Sequence, residues 1–232
     1  MKITLPDGSV RTYEGPVTVD QVAADIGPGL AKAAIGAKVD GQLVDLNRPI
    51  CDDADLSIVT RPRTDKKRSK VSSRDDLDRG APDGADADAL YLLRHSCAHV
   101  MAEAIQRLWP EALLAYGPPV ENGFYYDIFL GTPIRADDFA KIESEMKKIV
   151  QEDRSFTRYE LGKEQGLERL EAEGNKYKID NARRALEGGA NSLSWYVTGP
   201  APQRPLKTNP HWEDLCMGPH LPSTGHVSAF KM

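Results

Sequence analysis

"DADALYLLRHSCAHVMAEAIQRLWP", residues 86–110, decides how the chain is read. Leu90, Leu93, Cys97, Val100, Met101, Ala104, Ile105 and Leu108 recur at i, i+3 and i+4, the stripe of a helix laid against a core. Pro110 stops it. At about 100° per residue, His95 and His99 fall together on the side opposite Cys97. Cys97 is therefore expected in the core. The two imidazoles are expected to face a second, partly buried surface, where a pocket can form.

Upstream of this helix the composition changes twice. Residues 61–74, "RPRTDKKRSKVSSR", hold seven Lys/Arg against one Asp, and residues 75–88 hold six Asp against one Arg. Neither half has apolar periodicity, so 61–88 is expected to be a charged linker, its basic half a solvated tether or a nonspecific phosphate contact. Before it, residues 1–60 alternate short strand-like runs with turns. "KITL" and "VRTYEG" flank "PDGS". "TVDQVAADI" reads as a helix capped by Thr18. "AIGAKVDGQLVDL" turns at Asp40-Gly41, and "DADLSIVT" is a last strand. The order ββαβββ predicts a β-grasp, ubiquitin-like module.

Downstream, "GFYYDIFL" (123–130) predicts one aromatic strand, and "RADDFAKIESEMKKIVQED" a helix with Phe139, Ile142, Met146, Ile149 and Val150 on one face. "FTRYEL" reads as a strand, and "KEQGLERLEAEG" as a helix ended by Gly174. "NKYKIDN" and "SLSWYVTG" read as strands. "PAPQRPLKTNPHWED" reads as a Pro-rich loop before the final "LCMGPHLPSTGHVSAFKM". Residues 89–232 are thus expected to form a second, α+β domain.

Composition excludes several classes. Net charge is −5, with 40% hydrophobic and 28% charged residues, which places the chain among globular proteins and gives no global reason for a polyanion partner. No apolar run reaches the roughly 18 residues that span a membrane. "MKITLPDGSV" has no apolar signal region, and three cysteines (Cys51, Cys97, Cys216) form no disulfide framework. A reduced, cytoplasmic chain is expected.

"HSCAH" (95–99) and "CMGPH" (216–220) each place two candidate ligands four residues apart. Three readings stay open. They are ordinary helix and loop residues; or His95, His99, Cys216 and His220 close around zinc; or a histidine holds a water for metal-free hydrolysis while the other groups orient substrate. Spacing alone does not separate the last two.

"RHSCAHVMAEAIQRLWP", "GPPVENGFYYDI", "KYKI" and "DLCMGPHLP", in that order after a β-grasp domain, resemble the N-terminal half of a bacterial-type threonyl-tRNA synthetase. The resemblance covers nearly the whole chain: residues 1–60 resemble its TGS domain and 89–232 its editing domain. It implies proofreading hydrolysis of seryl-tRNA(Thr). It also implies the pocket residues His95, His99, Lys178, Asp214, Cys216 and His220, with Tyr126 nearby. Met217 stands where the family usually has arginine. On this resemblance His95 is assigned as base or water holder, and Lys178 as the electrostatic partner of the oxyanion or ribose hydroxyls. Asp214 is assigned to the substrate's ammonium group. His99, Cys216, His220 and Tyr126 shape the pocket. No cofactor is expected for editing, with zinc as the alternative for a metal-dependent hydrolase. A noncatalytic tRNA-binding or regulatory module is the remaining alternative. The implied partners are serylated tRNA(Thr) and the synthetase's ligase core, in cis or in trans, with no membrane. Nothing in the chain resembles the class II ligation motifs, so no ligase activity is expected from it alone.

Overall fold

The computed structural model describes residues 1–61, 84–202 and 211–232, with 84–86 described as backbone only. Most of the expected charged linker and of the Pro-rich loop therefore lies outside the described residues. The chain divides into two compact units, Met1–Leu92 and Leu93–Met232.

In the first unit, β1 (Lys2–Thr4) and β2 (Val10–Thr12) form an antiparallel hairpin. β3 (Val17–Thr18), α1 (Val19–Ile26), α2 (Pro28–Ala33), β4 (Ala34–Val39), β5 (Gln42–Val44), β6 (Pro49–Ile50) and β7 (Ala54–Thr60) follow. The sheet order is β2-β1-β7-β4-β5, with β1 and β7 parallel. This is the expected β-grasp fold, with a two-stranded β3–β6 pair and the short α2 added to the ββαβββ pattern. At the head of α1 the Thr18 N–H donates to the Gln21 side chain at 2.9 Å, half of a capping box. Asp40 and Gly41 both take positive φ (50° and 80°), which the tight β4–β5 turn requires. Ile3, Val19, Val22, Ala37 and Leu56 fill the core.

The sequence places the second unit's leading helix correctly and misjudges its surroundings. α3 runs Gly84–Leu108, so it begins inside the stretch expected to be linker. From His95 to Ile105 every residue is buried, so α3 is a central helix rather than one lying on a core. Leu108, expected in the stripe, is 37% exposed at the helix end.

β8 (Leu113–Tyr116), β9 (Pro119–Val120), β10 (Gly123–Phe124) and β11 (Asp127–Phe129) follow. The expected single strand 123–130 is thus split. β10 pairs with β9 and β11 with β8, and Tyr125 and Tyr126 bridge the change of partner. α4 (Ala136–Glu152) buries Ile142, Met146 and Ile149, while Phe139 sits at the edge. β12 (Phe156–Gly162), β13 (Ser192–Thr198) and β14 (Glu213–Leu215) make an antiparallel sheet in that order. Between them lie α5 (Lys163–Glu173), ended by Gly174 at φ 73°, and α6 (Lys176–Glu187). The expected strand "NKYKIDN" is therefore the start of a helix. Asn175 causes this: its carbonyl accepts from the N–H groups of Tyr177 and Lys178, and its amide donates to Leu114. Ile179, Ala182 and Leu186 then meet one core cluster at helical spacing.

Candidate active site

Three segments build the site. α3 carries His95 and His99 one turn apart. β14 and the loop after it carry Asp214, Cys216 and His220, with Asp214 and Cys216 on the same side of the chain by strand alternation. The first turn of α6 carries Lys178, and the β10–β11 junction carries Tyr126. Every residue singled out in the sequence as a site candidate lies in this one region.

The loop is held tightly. Gly218 has φ 78°, and a Cβ there would overlap the Tyr196 hydroxyl, so only glycine fits. Leu221 N–H donates to Ser96 Oγ at 2.9 Å, which ties the loop to α3. His220 is stacked on Phe156 at 5.0 Å, and its centroid lies 4.1 Å from those of both His95 and His99. The three imidazoles are 7%, 2% and 1% exposed in chain order, while Cys216 is half-buried. Solvent therefore meets the cluster at Cys216.

One proton assignment satisfies most of the network. His95 Nδ1 lies 3.1 Å from the Pro219 carbonyl, which can only accept, so Nδ1 carries the proton. His95 Nε2 then accepts from the Cys216 thiol at 3.2 Å. The sulfur in turn accepts from Gly218 N–H at 3.3 Å and from His220 Nε2 at 3.5 Å. That leaves His220 Nδ1 to accept from Ser96 Oγ at 3.2 Å. Only His99 stands apart. Its Nε2 is 3.9 Å from Asp214 Oδ2, and its Nδ1 is buried with no hydrogen-bond partner among the described residues.

Burial keeps these rings neutral. It drives the His95 pKa down to about 4, against smaller upward pulls from the Pro219 carbonyl and Asp214. His99 and His220 are pushed well below the usual value by burial first and neighbouring groups second. Beside them sits a charged group of three. Lys178 Nζ is 2.6 Å from Asp214 Oδ1 and 3.2 Å from Tyr126 Oη, and the Tyr126 hydroxyl donates to Asp214 Oδ2. Lys178 and Asp214 are each 5% exposed. Burial, then Asp214, raises the Tyr126 pKa well above its ordinary value. Lys178 is thus paired with Asp214 rather than a free cation.

Ligand atoms of His95, His99, Cys216 and His220 lie within 4.8 Å of one another, so the group can hold a metal ion. Cys97, expected in the core, is 3% exposed, and burial raises its thiol to about 12. Met217 is 83% exposed. Sequence reasoning missed Ser96, Phe156 and Trp212, whose ring meets His99 edge-on at 5.5 Å. Ser96 had one visible signal, its position inside "HSCAH". A separate cleft of about 380 Å³ lies past His99, lined by Glu103, Arg107, Glu152, Arg154 and Trp212 among others. Among the described residues no helix is long and apolar enough to cross a membrane.

Residues 1–60 match the TGS domain family, and residues 204–232 match the threonyl and alanyl tRNA synthetase second additional domain. The chain is 39% identical over 231 residues to a threonine--tRNA ligase of Acidiphilium cryptum, covering 99% of the chain and 30% of the relative. It is 40% identical over 232 residues to that of Burkholderia lata, covering all of the chain and 31% of the relative. The figure for Gluconacetobacter diazotrophicus is 41% over 231 residues, 99% of the chain and 30% of the relative. The chain thus spans about three tenths of the length of the curated relatives it matches. With a TGS domain followed by the second additional domain associated with editing, the chain corresponds along its whole length to the N-terminal region of threonyl-tRNA synthetases.

Proposed function

We propose that this chain hydrolyses seryl-tRNA(Thr), as the proofreading part of a cytoplasmic threonyl-tRNA synthetase whose ligase core acts with it in cis or in trans. The observation that carries the proposal is the convergence of a neutral imidazole–thiol cluster with the buried Lys178–Asp214–Tyr126 group. A synthetic site for threonine accepts serine, because one missing methyl is worth only roughly 1–3 kcal/mol. A second site that excludes the methyl restores selectivity.

The substrate is an ester, so a held water and a stabilised oxyanion suffice. With a pKa near 4, His95 is neutral at pH 7 and a weak base, which suits holding a water more than deprotonating it. Rotation of the Cys216 S–H releases His95 Nε2 to that water. His99 Nδ1, buried and with no hydrogen-bond partner among the described residues, is left to bond a substrate atom that enters the pocket. Asp214 receives the serine ammonium, and Lys178 then turns part of its charge to the carbonyl oxygen or the ribose hydroxyls. Tyr126 keeps the carboxylate oriented.

One observation favours a second reading, a zinc-dependent hydrolase. The His95 and His220 Nε2 atoms lie 3.2 and 3.5 Å from the Cys216 sulfur, near the about 3.6 Å separating N and S ligands around tetrahedral zinc. The set fits the ion. Four protein ligands, however, leave no open position for a water, so such an ion would hold the pocket together. Serylated and threonylated tRNA(Thr) incubated with the protein, with and without chelator, separate the readings. The expected result is at least about tenfold faster hydrolysis of the seryl ester, unaffected by chelator. Equal rates on both esters overturn the editing assignment. Loss with chelator and recovery with Zn²⁺ promote the second reading.

A further inference from the structure

Beside the pocket lies an aromatic surface that the hydrolytic reading does not use. Phe129, on β11, is 53% exposed. Its ring centroid is 6.1 Å from that of Tyr177, tilted by 41°, so the two rings lean together without stacking. The exposed Lys176 places its ammonium 5.0 Å from the Tyr177 centroid and 5.8 Å from that of Phe129. Tyr116, at the end of β8, and Tyr125, in the β10–β11 junction, are 56% and 46% exposed. Solvent-facing aromatic rings in such number on short strands are costly and unneeded for folding.

The surface is continuous with the site. Tyr177 and Lys178 are consecutive in the first turn of α6. Tyr177 turns to Phe129, and Lys178 turns inward to Tyr126 and Asp214. α6 is anchored on β8 by Asn175 and Asn181, which donate to the Leu114 and Ala115 carbonyls at 2.9 and 2.8 Å. The platform and the pocket wall are therefore parts of one rigid corner.

We propose that Phe129, Tyr177 and Lys176 form a stacking platform for the unpaired 3′-terminal nucleotides that carry the aminoacyl ester. This rests on the pocket being an aminoacyl-tRNA ester site. Single-stranded RNA is held by rings that meet base faces and by cations that meet its backbone, and a ring with a lysine over it offers both. Glu121 and Asp127 are also exposed here, so stacking rather than net charge supplies the affinity. The occupant is single-stranded because unpaired bases can splay to meet two rings tilted by 41°, whereas a duplex keeps its base faces stacked on one another.

The test uses the full chain and an unacylated, 5′-labelled RNA tetramer ending in CCA, with binding read by fluorescence anisotropy. Phe129→Ala and Tyr177→Ala should each weaken binding about tenfold. Lys176→Met should cost a few-fold and flatten the salt dependence. On seryl-tRNA(Thr) the aromatic variants should raise KM by the same factor at unchanged kcat. Phe129→Leu, which keeps the packing and loses the flat ring, should behave like Phe129→Ala. Unchanged tetramer binding in the aromatic variants overturns the platform. So does stronger binding of a duplex than of the tetramer, or self-association abolished by the same variants. A chain that binds the tetramer through these rings and hydrolyses neither ester retains the platform and loses the deacylase reading.

Discussion

α3 carries a single stripe of His95, His99, Glu103 and Arg107 at four-residue intervals, and its two halves behave differently. Glu103, 1% exposed, accepts from Arg154 at 2.5 Å, Arg107 at 2.8 Å and Thr198 at 2.8 Å. Arg107 goes on to Glu152 at 2.7 Å and Glu145 at 3.2 Å. The charges in that half are paired with one another, although Arg154 Nε, within ion-pair distance of Glu152, makes no hydrogen bond among the described residues. One turn earlier, the imidazoles are uncharged, His95 and His220 share a thiol, and His99 Nδ1 has no partner among the described residues. A buried network of paired charges fixes a helix in place. An unsaturated one costs stability, and that cost is consistent with retention for chemistry.

Substitutions and an acid titration can break or sharpen this contrast. The largest effect is expected at the unsaturated half. His95→Ala should lower seryl-tRNA(Thr) hydrolysis roughly 10²–10⁴-fold in single-turnover assays, with little change in unfolding midpoint. Lys178→Ala should match it in rate and also lose stability, because Asp214 is left buried without its cation. An unaffected His95→Ala rate would remove the distinction between the halves.

At the saturated half the effect moves from rate to stability. Glu103→Ala strands the Arg154 guanidinium and should cost about 3–5 kcal/mol by urea unfolding. Were it instead to abolish hydrolysis in a fully stable protein, the network would belong to the site.

Acid titration comes next. The folded His95 pKa of about 4 lies below the unfolded value near 6.5, so in that window the unfolded chain binds the proton and the folded chain does not. Stability from this group is complete above pH 6.5 and is lost as pH falls toward 4, roughly 3 kcal/mol in all. His99 and His220, lowered in the same direction, steepen the loss. His95→Gln should flatten the stability–pH curve in that range. The smallest effect is expected from Cys216→Ser, which keeps a donor for His95 and should retain activity to within about tenfold.

Much of this was legible in the chain. The i, i+3, i+4 apolar residues of 90–105 specify a helix, and "HSCAH" specifies that two imidazoles share its face. What periodicity cannot report is what surrounds an element. That is why the surface facing the imidazoles is expected to be only partly buried, whereas α3 is buried on every side from His95 to Ile105. The same limit explains the split of 123–130, whose aromatic residues look alike in sequence but pair with two different strands. "NKYKIDN" was misread for a local reason. Its short apolar alternation outweighed Asn175, whose capping bonds commit the segment to a helix. The Lys178–Asp214 pair was legible as two residues but not as a pair, because their separate roles were assigned before their distance was known.

The site joins His95 to Cys216 across 121 residues of sequence. At roughly 5–20 residues per second, a ribosome takes about 6–24 s to travel from one to the other. For that interval the chain lacks the Cys216–His220 loop that closes over α3. Loop closure over such a separation waits on the intervening strands, so the pocket is among the last parts of this unit to mature. Nascent chains stalled before Glu213 should hold the helix and lack the depressed imidazole titration. The proposed hydrolytic site is therefore complete only after β14 has joined the β12–β13 sheet.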